Sequence, residues 1–293
     1  MKSSQEVAEE TKANELQKKN EGVAAFFDLD GTLAELPSLE KRLFRTLRYQ
    51  RTIGVKNYFL WLKETLRLLP RGITAISHAN KMYLRGVQNF DEGGAGDAHI
   101  SSRYKDGHQA EGQASCPARS NSQLPVPTFF SQATERVAWH ARQGHEIVIV
   151  SGTLEALARG AARAMEAELA ARGNTTRICV RATRLEEMNG ALTGRILGEA
   201  MFGEEKARAA KSLARELRLD LARCYAYGDT ANDRSLLELV GKPAVVNPSA
   251  QFASMARARR WPILVWEVKE TRTLRHRERR ESADKEEQCS AIA

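Results

Sequence analysis

The feature that most limits the possible folds is the alternation of short apolar runs with helical segments after residue 127. Apolar runs at HEIVIV, RCYAYGD, PAVVNP and WPILVW predict strands. Helical patterns lie between them, and Gly144 and Gly173 mark two helix ends. Asn189-Gly190 predicts a hairpin turn between two strands within residues 177–196. Because strands that alternate with helices form a parallel sheet covered on both faces, the sequence predicts an α/β fold with a Rossmann-like parallel sheet. The predicted helices are TFFSQATERVAWHARQG, TLEALARGAARAMEAELAARG, EEKARAAKSLARELRL and NDRSLLELV.

The first predicted strand, VAAFFD at 23–28, is separated from the others by a helical insertion. Leucines recur at spacing four from residue 39, and apolar residues continue at helical spacing to residue 90. Residues 91–127 are rich in Gly, Ser and Pro, which predicts a flexible loop. We therefore expect an inserted helical cap. The predicted organisation is a polar leader (1–21), a catalytic core (22–38 and 128–267), the cap with its loop (39–127) and a charged, disordered tail (268–293).

Composition narrows the class of protein only coarsely. The formal net charge of +8 permits an anionic partner or substrate but names none. No run of about 18 apolar residues exists, and the polar start lacks the apolar segment of a signal peptide. Four cysteines without metal-ligand spacing are typical of reduced thiols. These features predict a cytoplasmic protein.

Polar side chains follow three of the predicted strands, where the working residues of such sheets lie. Asp28 ends the first strand with Asp30 two residues on, Ser151-Gly152-Thr153 follows HEIVIV, and Asp229 ends CYAYGD. Because residues i and i+2 of a strand share a face, Asp28 and Asp30 are expected side by side. Like charges so close require either a shared proton or a cation. Three carboxylates converging from two strands favour the cation, and oxygen ligands with a phosphate partner suit Mg2+.

Four segments, FFDLDGTL, VSGT, EEKARA and YGDTANDRSLL, resemble in order the motifs of the haloacid dehalogenase-like superfamily. With AVVNPS, the NGALTG hairpin and the helical insertion, the chain resembles the phosphoserine phosphatase-like branch. The resemblance covers roughly residues 22–266 without the loop. It implies a phosphatase that works through an aspartyl-phosphate intermediate.

The resemblance also implies a role for each matching residue. Asp28 resembles the nucleophile, and Asp30 resembles the general acid that later serves as base. The residues implied to hold phosphate are Ser151, Gly152, Lys206 and Asn232. The residues implied at the metal are Asp28, Asp30 through its carbonyl, Asp229, and Asp233, which orients the metal shell. From the residues alone, Ser151 is also expected to cap the helix starting at Leu154, and Asp233 could simply cap the next one.

The residues of the predicted cap do not identify the substrate. Phosphoserine-specific members of the family carry a glutamate where this chain has Pro37. We expect a small-molecule or lipid phosphate monoester. Residues 41–71 contain nine Lys or Arg and one acid. They predict either a solvated helical face above a core stripe or a surface that meets an anionic membrane or polyanionic substrate.

Three other activities compete with hydrolysis. A phosphotransferase of the same superfamily shares the chemistry. A signalling receiver domain is disfavoured because its acidic pair comes early and its acceptor comes on a middle strand. Nucleic-acid binding rests on basic charge without a binding motif, so no nucleic-acid partner is expected. The histidines His78, His140 and His145 lack metal-ligand spacing and are interpreted as surface or packing residues.

Overall fold

A computed structural model describes residues 22–72, 80–88 and 124–268 of the 293. The strands are β1 (Ala24–Phe27), β2 (Glu146–Leu154), β3 (Ile178–Thr183), β4 (Leu185–Met188), β5 (Ala191–Ile196), β6 (Tyr225–Gly228), β7 (Lys242–Val246) and β8 (Ile263–Leu264). The α-helices are α1 (Leu39–Tyr49), α2 (Val55–Leu68), α3 (Ser131–Arg142), α4 (Glu155–Ala171), α5 (Glu204–Glu216), α6 (Arg234–Leu239) and α7 (Ala250–Ala258). Short 3-10 turns lie at Leu69–Arg71, Met82–Leu84 and Ala231–Asp233.

Six strands form one parallel sheet in the order β3-β2-β1-β6-β7-β8, and β4 pairs with β5 as a separate antiparallel hairpin. From β1 the chain continues to β2 and β3 on one side of the sheet. It then crosses to β6 on the other side of β1 and continues outward through β7 to β8. In open parallel sheets, this reversal of strand order creates a crevice at the carboxyl ends of the strands. This strand order makes the edge where β1, β2 and β6 end the expected position of a binding site.

The sheet is buried on both faces, as its uninterrupted apolar strands predict. In β1, Ala25 and Phe27 join one apolar core, and Ala24 and Phe26 join the other. The first core is covered by residues of α1, α3 and α4, and the second by residues of α5, α6 and α7. The predicted α/β fold with helices on both faces of a parallel sheet is confirmed.

The inserted helices α1 and α2 differ in how they are buried. Leu39, Leu43 and Leu47 of α1 belong to the same core as the sheet, whereas Leu68 is the one buried side chain of α2. Helix α2 is held by segment 80–88. The Asn80 amide donates to the Trp61 carbonyl at 2.8 Å. That segment in turn meets the hairpin through a bridge between residues 88 and 191.

Some predicted elements differ in detail from the structure. Residues 177–196 form three strands rather than two, because the chain turns between Thr183 and Leu185 and sends β3 into the main sheet. The hairpin turn is at Asn189 and Gly190, whose positive φ angles of 54° and 77° fit a type I′ turn. The last strand is only two residues long, and α7 was not predicted.

Several predictions fall on parts of the chain that the structure does not describe. The leader (1–21), His78, all but the end of the 91–127 loop and all but the first residue of the tail lie outside the described residues. Among the described residues, no helix is long and apolar enough to cross a bilayer.

Candidate active site

The candidate site lies at the carboxyl edge of the central strands. Asp28 directly follows β1, Asp229 directly follows β6, and Ser151 lies near the end of β2. The backbone amide of Asp28 donates to the carbonyl of Tyr227 at 2.9 Å, which continues the β1–β6 pairing by one residue. The polar groups predicted from three separate parts of the sequence therefore meet at the topological switch of the sheet.

A buried lysine bridges two of the carboxylates. Lys206 Nζ lies 2.6 Å from Asp28 Oδ1 and 2.5 Å from Asp233 Oδ1, and all three side chains are almost fully buried. Burial alone would lower the pKa of Lys206, but the charges of Asp233 and Asp28 outweigh it and raise that pKa. Lys206 is therefore a fixed cation beside the Asp28 carboxylate, held in the first turn of α5.

Three carboxylates gather around this lysine. Oxygen atoms of Asp28, Asp229 and Asp233 lie within 4.8 Å of one another. Burial, partly opposed by Lys206 at Asp28, raises the pKa of Asp28 to about 7 and that of Asp229 to about 8, with the neighbouring carboxylates adding to both shifts. One lysine does not neutralise three acids, two of which are buried and one half-buried. An all-oxygen cluster with excess negative charge fits a hard divalent cation such as Mg2+.

Asp233 has both of its oxygens occupied by protein donors. Oδ1 accepts from Lys206, while Oδ2 accepts from the amides of Asp229 and Thr230 at 3.2 and 3.0 Å and from the Thr230 hydroxyl at 3.1 Å. Gly228 permits this approach, since a Cβ there would lie 2.4 Å from the Asp233 Cβ. Asp233 therefore fixes the backbone that presents Asp229. The sequence left open whether Asp233 orients the metal shell or only caps the next helix. Its carboxylate caps the adjoining 3-10 turn, but it makes no side-chain cap bond to α6.

Gly31 packs against the Asp229 carboxylate. Its φ of +90° lies in the region that favours glycine, and a Cβ there would lie 2.3 Å from Asp229 Oδ2. The Thr32 hydroxyl donates to Asp229 Oδ1 at 3.5 Å. The turn after β1 thus positions a carboxylate that comes from β6.

The charge of Asp30 acts on Asp28 and raises its pKa, but the Asp30 carboxylate is not part of the cluster formed by Asp28, Asp229 and Asp233. Strand β1 ends at Phe27, so the strand rule for i and i+2 no longer applies. Asp30 Oδ1 instead accepts from the backbone amide of Leu39, at the start of α1, at 2.8 Å. Burial raises the pKa of Asp30, the Leu39 amide opposes that shift, and Glu40 adds to it. Asp30 is therefore a carboxyl group with increased proton affinity.

The end of β2 presents hydroxyl groups. Ser151 and Thr153 are buried where the pairing of β2 with β3 becomes irregular, and Ser151 Oγ accepts from the Thr153 amide at 3.3 Å. The prediction that Ser151 caps the next helix is wrong, because β2 continues to residue 154 and α4 begins at Glu155 with Leu154 at its N-cap. The hydroxyl of Thr153 has no hydrogen-bond partner among the described atoms. The sequence placed Thr153 at this strand end together with Ser151 and Gly152, but assigned it no role.

Gly152 is enclosed between two elements. A Cβ on Gly152 would lie 2.2 Å from the Phe202 ring. Its carbonyl accepts from the Thr183 hydroxyl at 2.8 Å, and that hydroxyl accepts from the Met201 amide at 3.1 Å. The loop before α5 thus fixes the backbone at the end of β2. Asn232 lies half-buried in the 3-10 turn between Asp229 and Asp233.

A second buried cation lies at the base of the insertion. Lys81 Nζ is 2.5 Å from Glu40 Oε1, and the Tyr83 hydroxyl donates to the same oxygen at 2.6 Å. Glu40 follows Leu39, the residue whose amide holds Asp30. Sequence reasoning missed this pair because its partners lie 41 residues apart.

Comparisons with known proteins agree with this geometry. The family model described as haloacid dehalogenase-like hydrolase matches residues 25–238. The chain is similar to a Mycobacterium tuberculosis protein named phosphoserine phosphatase SerB1, with 28% identity over 241 residues that cover 82% of this chain and 70% of the relative. It is also similar to a Streptomyces azureus protein named inhibition of morphological differentiation protein, with 29% identity over 82% of this chain and 77% of the relative. A crystal structure of a protein of unknown function from Bordetella pertussis Tohama I shares the fold, with a TM-score of 0.55, 22% identity, and coverage of 84% of this chain and 99% of that chain.

Proposed function

Because the chain belongs to the haloacid dehalogenase-like hydrolase family, we propose that it is a magnesium-dependent phosphatase that hydrolyses phosphate monoesters through an aspartyl-phosphate on Asp28. One observation carries the proposal. Asp28 lies at the switch point of the sheet, 2.6 Å from a buried lysine and within 4.8 Å of two further carboxylates. A carboxylate attacks a phosphate dianion only where positive charge offsets the repulsion between them.

The residues present fit Mg2+. Asp28 and Asp229 offer carboxylate oxygens, the main-chain carbonyl of Asp30 follows in the same turn, and Asp233 holds the backbone of Asp229 in place. When bound, Mg2+ would neutralise the approaching phosphate and the nucleophile together. Lys206 supplies one positive charge to three carboxylates, and burial together with the neighbouring carboxylates raises the pKa values of Asp28 and Asp229.

The first chemical step uses two aspartates with different tasks. A carboxylate oxygen of Asp28 forms a bond to phosphorus, and the bond from phosphorus to the ester oxygen breaks. Asp30, whose raised pKa favours the protonated form, gives its proton to the departing alkoxide. The Leu39 amide orients Asp30 for this transfer, so the start of α1 takes part in positioning the acid.

The second step reverses the role of Asp30. It removes a proton from a water molecule as the water oxygen bonds to phosphorus, and the bond between phosphorus and Asp28 breaks to release inorganic phosphate. Lys206 and Ser151 hold the non-reacting phosphate oxygens together with the Gly152 amide, and Asn232 lies at the same side. We add Thr153 to this group, since its buried hydroxyl has no partner among the described atoms.

The substrate class is a small-molecule or lipid phosphate monoester. The relative SerB1 is named a phosphoserine phosphatase. Pro37 stands where the phosphoserine-specific members place a glutamate, so we propose a monoester other than phosphoserine. If an alcohol replaced water in the second step, the same residues would carry out phosphotransfer.

Turnover of a generic aryl phosphate tests the proposal. The wild-type chain should release phosphate with Mg2+ and stop with EDTA. Asp28→Asn keeps the shape of the side chain but removes the attacking charge, so its turnover should fall at least about a thousandfold while the fold persists. Wild-type turnover by Asp28→Asn would refute the covalent mechanism, and turnover in EDTA would refute the metal.

A further inference from the structure

Helix α2 carries an apolar stripe on its outward face. Its four most exposed apolar side chains follow the spacing i, i+4, i+7, i+11, which places them on one side of a helix. They are Val55, Phe59, Leu62 and Leu66, with exposed fractions of 72%, 69%, 50% and 63%. Tyr58 adjoins them and is 40% exposed. We call these five residues the α2 stripe.

The opposite face of α2 already has its partners. The Asn57 amide donates to the carbonyls of Tyr83 and Arg85, and Asn80 donates to the Trp61 carbonyl and the Thr65 hydroxyl. Leu68 is buried on that same face. The helix is therefore fixed by segment 80–88, and its apolar stripe points away from that attachment. Within the described part of the chain, nothing buries the stripe.

One border of the α2 stripe is basic. Lys56, Lys63 and Arg67 follow each other at spacings seven and four, about 80–120° around the helix from the start of the stripe. The described acids of the two inserted helices are already paired, Glu64 with Arg67 at 3.4 Å and Glu40 with Lys81. The outer face of α1 adds exposed basic residues, namely Lys41, Arg45 and Arg48.

We infer that the α2 stripe docks on the surface of a bilayer rich in anionic lipids, with the helix lying in the interface. A helix with an aromatic and aliphatic face bordered by Lys and Arg binds such surfaces, because the apolar face enters the acyl boundary while the basic border meets the headgroups. The inference does not depend on the proposed hydrolysis.

The charges favour a bilayer over a second copy of this chain. Two copies packed stripe to stripe with antiparallel helices would bring two basic borders together, and in either orientation the acid on this helix, Glu64, already lies against Arg67. Like charges facing each other across an interface oppose association. An anionic surface supplies the missing opposite charge.

Co-sedimentation of the whole chain with vesicles tests the inference. Wild type should bind phosphatidylcholine vesicles that contain phosphatidylglycerol, and should bind pure phosphatidylcholine far more weakly. Raising the salt from 0.1 M to 1 M shortens the Debye length from about 10 Å to about 3 Å and should weaken that binding. Lys56→Gln with Lys63→Gln should weaken it roughly 25-fold, since each basic residue near such a surface contributes about fivefold.

The decisive variant is Phe59→Glu with Leu62→Glu, which removes two inserting side chains and adds two acids. Binding should fall at least about a hundredfold. The matched control is Met188→Glu with Val265→Glu, which makes the same charge change at two exposed apolar residues elsewhere and should change binding by less than about threefold. The far-UV circular dichroism spectra of both variants should match that of wild type, which shows that they fold.

Other results would overturn the inference. Absence of wild-type binding to the anionic vesicles would do so, as would equal binding by the Phe59→Glu, Leu62→Glu variant. Light scattering could instead show that wild type is a dimer and the Phe59→Glu, Leu62→Glu variant a monomer. If wild type then also fails to bind vesicles, a second copy covers the stripe. If the variant unfolds at a clearly lower temperature than the control and wild type does not bind vesicles, another part of the chain covers it.

Discussion

Gly31→Ala is expected to separate the catalytic geometry from fold stability. Gly31 has a φ of +90°, and its added methyl group would lie 2.3 Å from Asp229 Oδ2 and 2.9 Å from Asp229 Cγ. Ordinary non-bonded contact requires about 3.5 Å, so the carboxylate or the turn must move by about 1 Å. The moved group belongs to the acidic cluster that would hold Mg2+ beside Asp28.

Gly144 offers a matched control. Its φ is +71°, and a Cβ there would meet no atom within 4 Å. Alanine in this backbone region costs about 1–3 kcal/mol at either position, so both variants should lose a similar free energy of unfolding. A misplacement of about 1 Å at a reacting group can cost about a hundredfold in rate. We therefore expect kcat for an aryl phosphate to fall about a hundredfold in Gly31→Ala and to stay near wild type in Gly144→Ala.

The assay pairs steady-state hydrolysis with urea unfolding of the same preparations. A titration with Mg2+ should also show weaker activation in Gly31→Ala. If Gly31→Ala turns over within about threefold of Gly144→Ala, the turn after β1 does not control Asp229, and the reasoning fails.

Three further predictions concern the metal, the lysine and a buried histidine. Calcium should inhibit the magnesium-activated enzyme, because its larger and looser coordination shell misplaces Asp28; equal rates with both ions would contradict this. Lys206→Met should abolish turnover and lower the free energy of unfolding by about 3–5 kcal/mol, because two buried carboxylates lose their cation. Mg2+ should raise the unfolding temperature of this variant more than that of wild type. An equal rise would argue against Lys206 and Mg2+ sharing the same carboxylates. Burial, together with the charges of His145, Arg136 and Lys242, lowers the pKa of His140 to about 3. Because the pKa of this histidine in the unfolded chain is near 6.5, the neutral imidazole stabilises the folded state fully above pH 6.5. The free energy of unfolding, measured with urea, should therefore fall by about 2 kcal/mol between pH 7 and pH 5. In His140→Gln it should change less with pH.

Local sequence patterns predicted the sheet and the strand ends because each depends on neighbouring residues. The apolar run before Asp28 is buried on both faces, and the turns at Gly173 and Asn189-Gly190 need positive φ angles that those residues adopt. Asp28, Asp229, Asp233 and Lys206 were expected together because parallel strands end at one edge. In the structure Lys206 contacts Asp28 and Asp233, and oxygen atoms of all three carboxylates lie within 4.8 Å of one another.

Features that depend on distant contacts were missed or misplaced. The Asp30 carboxylate turned to the Leu39 amide, since the strand ended one residue before Asp28. The Glu40–Lys81 pair joins segments 41 residues apart, and no local pattern marks it. Arg42, counted with the basic residues of the insertion, donates to the carbonyls of Glu35 and Pro37 and so holds the turn before α1. Of the two interpretations left open for residues 41–71, a core stripe beneath a basic face forms in α1, whereas in α2 only Leu68 is buried.

The most direct test of the central claim is to trap the covalent intermediate on Asp28. The chain would be mixed with Mg2+ and an aryl phosphate, quenched during turnover, and treated with borohydride, which reduces an acyl phosphate to an alcohol. Peptide mass spectrometry should then find homoserine in place of aspartate at position 28, only when the ester and Mg2+ are both present, and not in Asp28→Asn. Ongoing turnover with an unmodified Asp28, or with the modification at another carboxylate, would contradict Asp28 as the nucleophile.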